Sequence, residues 1–329
     1  MKILFSGFKD LGHSKFGGYH QIINMNVSKK ILLIKRSKKI TNKFLVTLKA
    51  IYLELLTQIF HFNYDITHFF YADVTKSPKI GWPKLTKHKT IVTIHLDPEQ
   101  HHHRDQFLQF LRKVDGIIVM SYDQKISLKK KYGLKSEFIP HGFYQPQFKE
   151  KIPLSSKGET INFNYVNLIT VGSQYRDFVL LKNTIKKLSN NINIKFHIVG
   201  APQYVKDWLS GLSNTLIYDR ISDDELYTLI SKSDFGFLPL TYASANNSLL
   251  EFQYLNLNSI LPNIGGILDY AAPAPHNKFY NNFDELISII SQLKKPLKSS
   301  YLNNYAKSNF DWHIIFEKIL KYYNDILSR

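Results

Sequence analysis

Cysteine is absent, tryptophan and methionine number three each, and acidic residues are scarce: 26 Asp and Glu stand against 43 Lys and Arg, a formal net charge of +17. Without cysteine there is no disulfide framework and no thiolate metal site. Long apolar runs are missing too, none approaching the roughly 18 residues that a membrane span needs. The opening MKILFSGF has only a brief apolar run before Lys9 and Asp10, too short for a secretory signal. Together these absences predict a cytoplasmic globular protein, and a hydrophobic content of 44% is ordinary for one.

The positive charge is unevenly spread. Residues 1–150 hold 25 basic and 11 acidic side chains, net +14, while residues 151–329 hold 18 and 15, net +3. A basic half points to a polyanion on that side: anionic lipid head groups, an acidic acceptor or nucleic acid. A Lys-rich composition with a solvated surface would give the same count. No aromatic-basic motif of the single-strand type accompanies the charge, so nucleic acid is not expected as a partner.

At 329 residues the chain has material for two domains. Strand and helix patterns alternate in both halves, which predicts an α/β protein with parallel sheets. Lys2 to Phe8 reads as a first buried strand and is followed by a loop holding Gly17 and Gly18. Ile31 to Ile34 is a second strand inside a basic run from Lys29 to Lys43. From Asn42 to Phe60, Phe44, Leu45, Leu48, Ile51, Tyr52, Leu55, Leu56 and Ile59 recur at helical spacing. That stripe is broad enough to pack on the sheet, the expected outcome, or to lie partly in a bilayer interface. Thr90 to His95 is a strand ending in His95, Leu96 and Asp97. A histidine at a strand's carboxyl end, with an ordinary pKa of about 6.5, suits a proton acceptor. The run His101 to His103 has no partner at ligand spacing on a defined element, so no metal is expected. Ser121 and Gly133 bracket a helix as caps, and Pro and Gly residues with the polar stretch Lys149 to Thr160 mark a linker, so a first domain spans 1–150.

The second half restarts with a strand, Asn167 to Val171, then Gly172, Arg176 and a helix. Its most informative stretch runs from Asp234 to Tyr270: a short apolar strand, a polar loop from Thr241 to Asn247, a helix, another strand and the pair Gly265-Gly266. Ser248 followed by Glu251 has capping-box spacing, which starts the helix at Ser248. A polar loop feeding a helix N-terminus beyond a strand favours an anion such as a diphosphate. Glu251, one turn inside, would suit ribose hydroxyls, or would merely cap the helix with Ser248.

Leu238-Pro239, Leu250-Glu251, Asn256, Ile260-Leu261, Gly265-Gly266 and Asp269 resemble the nucleotide-sugar signature of the two-domain GT-B glycosyltransferases, especially glycosyltransferase family 4 and its relatives. His95 with Asp97, the run Glu137 to Gly142, the Gly17-Gly18 loop and Ile217 to Leu229 resemble other segments of the same family. The resemblance implies two Rossmann-like domains facing an interdomain cleft: 1–150 for the acceptor, 151–305 for the nucleotide-sugar donor, and a helical 306–329 crossing back to the first domain. It implies a metal-independent hexosyltransferase using a nucleotide sugar, a UDP-sugar being expected, as substrate and no cofactor. Gly172, Arg176, Arg220, Asn246, Asn247, Ser248 and Glu251 would hold the donor, Gly17 and Gly18 would face the acceptor, and His95 and Asp97 would be catalytic. The acceptor would be a glycan or a lipid-linked hydroxyl in surface polysaccharide assembly, with the basic half peripheral on the inner face of the membrane. Family 4 usually carries another Glu eight positions before Glu251, where this chain has Ala243, so the resemblance does not choose between retention and inversion. A nucleotide-sugar epimerase of the same architecture and a non-catalytic scaffold subunit are the alternatives.

Overall fold

The computed structural model describes residues 1–10, 16–36, 43–72, 88–101, 103–190, 193–219, 221–297 and 299–329. The chain divides into two compact units, one of Met1–Tyr144 with Phe310–Arg329, the other of Gln145–Asn309.

Unit 1 is built on β1 (Lys2–Asp10), β2 (Ser28–Arg36), β3 (Ile66–Phe69), β4 (Lys89–Ile94), β5 (Gly116–Val119) and β6 (Glu137–Phe138). They form a parallel sheet in the order β2-β1-β3-β4-β5-β6. The central strands β3, β4 and β5 are largely buried, as strands of a parallel sheet are. On one face, Val92, Ile94, Ile117 and Val119 pack with Phe107, Leu108, Leu111 and Leu128. The helix Tyr122–Tyr132 starts where Ser121 accepts the N–H of Gln124 and ends where Gly133 turns to φ 66°, as its cap residues predict. A closing helix, Trp312–Leu327, belongs to this unit, with Trp312 fully buried.

The helix Lys43–Phe60 corrects an expectation. Leu53 packs on Leu32 and Tyr71, and Thr57 shares a 2.8 Å hydrogen bond with Ser6. The predicted stripe is turned elsewhere: Leu48, Ile51, Tyr52, Leu55 and Ile59 are all exposed. A helix apolar on more than one face can satisfy the sheet with one of them, and periodicity does not say which.

Unit 2 contains β7 (Val166–Val171), β8 (Ile194–Val199), β9 (Thr215–Tyr218), β10 (Phe235–Phe237), β11 (Ser259–Pro262) and β12 (Asn277–Tyr280). Their order is β12-β11-β10-β7-β8-β9, again parallel. Counted within the unit, this is the doubly wound order in which strand sequence reverses once, between the first strand (β7) and the fourth (β10). The core lies between sheet and helices, where Leu168, Phe196, Ile198, Phe235 and Phe237 meet Phe178, Leu181, Ile185, Val205 and Ile290. Among the described residues no helix is long and apolar enough to cross a membrane.

Candidate functional site

Open parallel sheets bind ligands beyond the carboxyl ends of their strands, at the point where the order reverses. In unit 2 that point lies between β7 and β10. Leaving β7, the chain turns at Gly172, whose φ of 87° favours glycine. A Cβ there would sit 3.3 Å from Arg176 Nη2. Arg176 folds back under the strand end: Nε and Nη2 donate to the Val171 carbonyl at 3.0 and 2.6 Å, Nη1 to the Gln174 carbonyl at 3.0 Å, and Nη2 to Ser248 Oγ at 3.0 Å. Burial lowers its pKa to about 10, and the nearby Glu251 charge works against that shift. A guanidinium with that pKa remains charged at neutral pH.

The loop after β10 is tied to the same turn. Asp177 N–H donates to the Pro239 carbonyl at 2.8 Å, and Thr241 N–H to the Tyr175 carbonyl at 2.9 Å. Asp177 caps the helix Phe178–Lys187 by accepting the N–H of Leu180 at 2.8 Å. Ala243 is buried, and its carbonyl accepts the N–H of Gly266 at 2.9 Å. A Cβ on Gly265, at φ 46°, would lie 2.7 Å from that carbonyl oxygen.

The following helix is Asn247–Tyr254, and its N-cap is Asn246, which accepts the N–H of Leu249 at 3.1 Å. The expected Ser248–Glu251 capping box is therefore not what starts this helix. Ser248 points to Arg176 instead, and the buried Glu251 accepts a 3.5 Å hydrogen bond from the Tyr227 hydroxyl. Asn247 is half-buried in the first turn. Gln253, which sequence reasoning missed, is fully buried: its Nε2 donates to the Tyr270 carbonyl at 3.0 Å, and its Oε1 accepts the N–H of Ala272 at 2.7 Å. A lone amide among apolar neighbours on a buried helix was its only signal. Gly172, Arg176, Asn246, Asn247, Ser248 and Glu251 are thus gathered around one strand-order reversal, while Arg220 lies outside the described residues.

Unit 1 reverses its strand order between β1 and β3. Gly18, at φ 93°, follows the buried Gly17 and leads into a short helical turn, Tyr19–Asn24. The Tyr19 ring is a hub, with His95 at 5.2 Å, His141 at 5.5 Å and Trp312 at 5.5 Å. His95, just past β4, stacks on Tyr71 at 4.5 Å, and the Tyr71 hydroxyl accepts the N–H of Tyr19 at 2.9 Å. Asp97 is half-buried at the start of the helical turn Pro98–Gln100. Sequence reading named His95, Asp97, Gly17 and Gly18 here and took in His141 only within the run Glu137 to Gly142, but gave no role to Tyr19 or Tyr71, since single aromatics carry no spacing signal. Among the described residues no group of three or more His, Asp or Glu could hold a metal ion.

No family model matches the chain, and no curated protein matches it in sequence. Solved structures do. A glycosyltransferase from Rickettsia africae superimposes with a TM-score of 0.67 at 16% identity, covering 99% of this chain and 98% of that one. The sucrose-phosphate synthase of Thermosynechococcus elongatus gives 0.73 at 13% identity over 100% and 99%. Anabaena HepE, solved in complex with UDP-glucose, gives 0.69 at 13% over 99% and 100%. The chain has the GT-B fold. In this GT-B chain both strand-order reversals carry polar or aromatic side chains brought together from distant segments, and at 13–16% identity these side chains rather than the neighbours must specify the chemistry.

Proposed function

We propose that this GT-B protein is a glycosyltransferase that moves a hexosyl group from a UDP-sugar to a hydroxyl of a glycan or lipid-linked acceptor, in surface polysaccharide assembly at the inner face of the membrane. The observation that carries the reading is the junction of Arg176, Ser248 and Glu251 at the unit 2 reversal. Arg176 is a fixed, charged group beside a helix N-terminus, the combination that suits a diphosphate. Glu251 is a buried carboxylate one turn inside the helix, bonded to the Tyr227 hydroxyl, and a carboxylate accepts several hydrogen bonds at once, so it suits ribose hydroxyls. A neighbour of the same fold was solved with UDP-glucose, which supports a uridine donor.

In the reaction the bond between the anomeric carbon and the diphosphate oxygen breaks, and the acceptor oxygen forms the new bond to that carbon. Negative charge grows on the departing diphosphate, where Arg176 and the helix N–H groups stabilise it. The acceptor proton goes to His95 or Asp97 if the anomeric carbon inverts. In a retaining, front-face reaction it passes to the departing phosphate. With Arg176 supplying the positive charge, transfer is expected to continue in EDTA.

The test is incubation of the protein with UDP-sugars, with and without a bacterial lipid-linked glycan fraction, following UDP release and product stereochemistry. UDP release that needs the acceptor and survives EDTA supports the proposal. An epimerised sugar formed from donor alone would replace it with an epimerase.

A further inference from the structure

The helix Lys43–Phe60 carries an apolar face that its own sheet does not use. Its inward side is occupied by Leu53 and Thr57, which meet Leu32, Tyr71 and Ser6. The outward side presents Leu48, Ile51, Tyr52, Leu55 and Ile59 at helical spacing, and Phe62 continues it in the next turn. Tyr52 and Ile59 are 61% and 63% exposed. Aliphatic and aromatic side chains lined up in this way on one ridge mark an interaction site rather than scattered surface residues.

Charge selects the occupant. Lys30 places its ammonium 3.0 Å from the centre of the Phe60 ring at the carboxyl end of the helix, and Lys49 is exposed along it. The surrounding half of the chain carries a net +14 over residues 1–150. A second copy docking by the same face would bring two such positive surfaces together, which costs energy. An anionic bilayer gains from both features: apolar side chains enter the boundary between head groups and acyl chains, while lysines stay at the level of the phosphates.

We propose that the outward face of the helix Lys43–Phe60 is the membrane-docking surface of this protein, lying flat in the interface of an anionic bilayer while its inward face stays on the unit 1 sheet. This deepens the membrane part of the function proposed above. It is tested without any sugar substrate, so that failure of one reading leaves the other standing.

The experiment is co-sedimentation of the full chain with vesicles of phosphatidylcholine alone or with phosphatidylglycerol added, at low and high salt. Wild type is compared with the double variant Leu55→Glu, Ile59→Glu and with Val179→Glu, an exposed apolar control in unit 2. Partition of the wild type into anionic vesicles about tenfold above neutral ones is expected, with a fall of about tenfold in the double variant and no change in the control. If the double variant fails to fold by circular dichroism, Tyr52→Ser replaces it and should lower partition several-fold. Equal partition of wild type and variant, or no binding of the wild type to anionic vesicles, overturns the proposal. A lipid-free dimer that the double variant abolishes also overturns it, giving the face to a second copy.

Discussion

In the proposed function Arg176 is the residue on which donor binding turns, and four of its hydrogen bonds are already committed to Val171, Gln174 and Ser248. What it offers a diphosphate is therefore mainly a buried charge held in place, with one Nη1 hydrogen left over among the described contacts. Arg176→Ala should weaken UDP binding by about tenfold or more and uridine binding far less, since hydrogen bonds to charged groups contribute about 1.5–3 kcal/mol. Calorimetric titration of both ligands checks this, and equal losses for the two would assign Arg176 to holding the loop alone. Its pH behaviour follows from the same burial. With the pKa lowered to about 10, UDP affinity should stay level from neutral pH and fall as pH passes that value, and Arg176→Ala should lose that fall. The stability consequence has the opposite sign. The unfolded chain holds this proton more tightly, so stability rises with pH above about 10 until the unfolded guanidinium also titrates, and it does not vary with pH near neutrality on this account.

Among the elements, the two Ser-x-x-Glu segments show how far local sequence reaches. Ser222 and Glu225 form a capping box with both hydrogen bonds present, whereas Ser248 and Glu251, at identical spacing, do not. Asn246 already holds the N–H of Leu249, and Ser248 is engaged by Arg176, a partner 72 residues away that no local pattern contains. Strands such as β7, rich in Val, Leu and Ile and closed by Gly172, were legible, and so was the closing helix from Trp312. The orientation of the helix Lys43–Phe60 was not, because both its faces are apolar. Short elements with weak periodicity, such as Gln203–Leu209 and Tyr301–Phe310, also went unread. The closing helix depends on a close backbone approach: a Cβ on Gly142 would lie 2.3 Å from a ring carbon of the fully buried Trp312. Gly142→Ala should destabilise unit 1 by about 1–3 kcal/mol, the usual cost of overpacking, read from urea midpoints. An unchanged midpoint would mean that the helix can shift away without loss.

For the molecule as a whole, each unit buries one neutral histidine in its sheet. His68 shares hydrogen bonds with Tyr323 and Thr93 at 2.5 and 2.8 Å, and His197 with Tyr218 and Asn167 at 2.9 and 2.8 Å. Burial lowers both pKa values to about 3. Below pH ~6.5 the unfolded chain takes up a proton at each that the folded chain refuses, so stability is lost as pH falls toward 3, by up to about 1.4 kcal/mol per pH unit per histidine. His197→Asn should be less stable than wild type at neutral pH but should lose less on acidification, as measured by urea midpoints at neutral and acid pH, and parallel losses would exclude His197 as a source of the acid sensitivity. The GT-B architecture and the Arg176 junction support the central proposal, that unit 2 holds a nucleoside diphosphate with Glu251 on the ribose. The most direct measurement is calorimetric titration of the wild-type chain and Glu251→Gln with UDP, GDP and TDP. The account predicts one-to-one binding of UDP by the wild type, weakened about tenfold or more in Glu251→Gln with the thermal midpoint little changed, as expected for loss of charged hydrogen bonds. Absence of binding by all three nucleotides, or a Glu251→Gln affinity within about twofold of wild type, would contradict it.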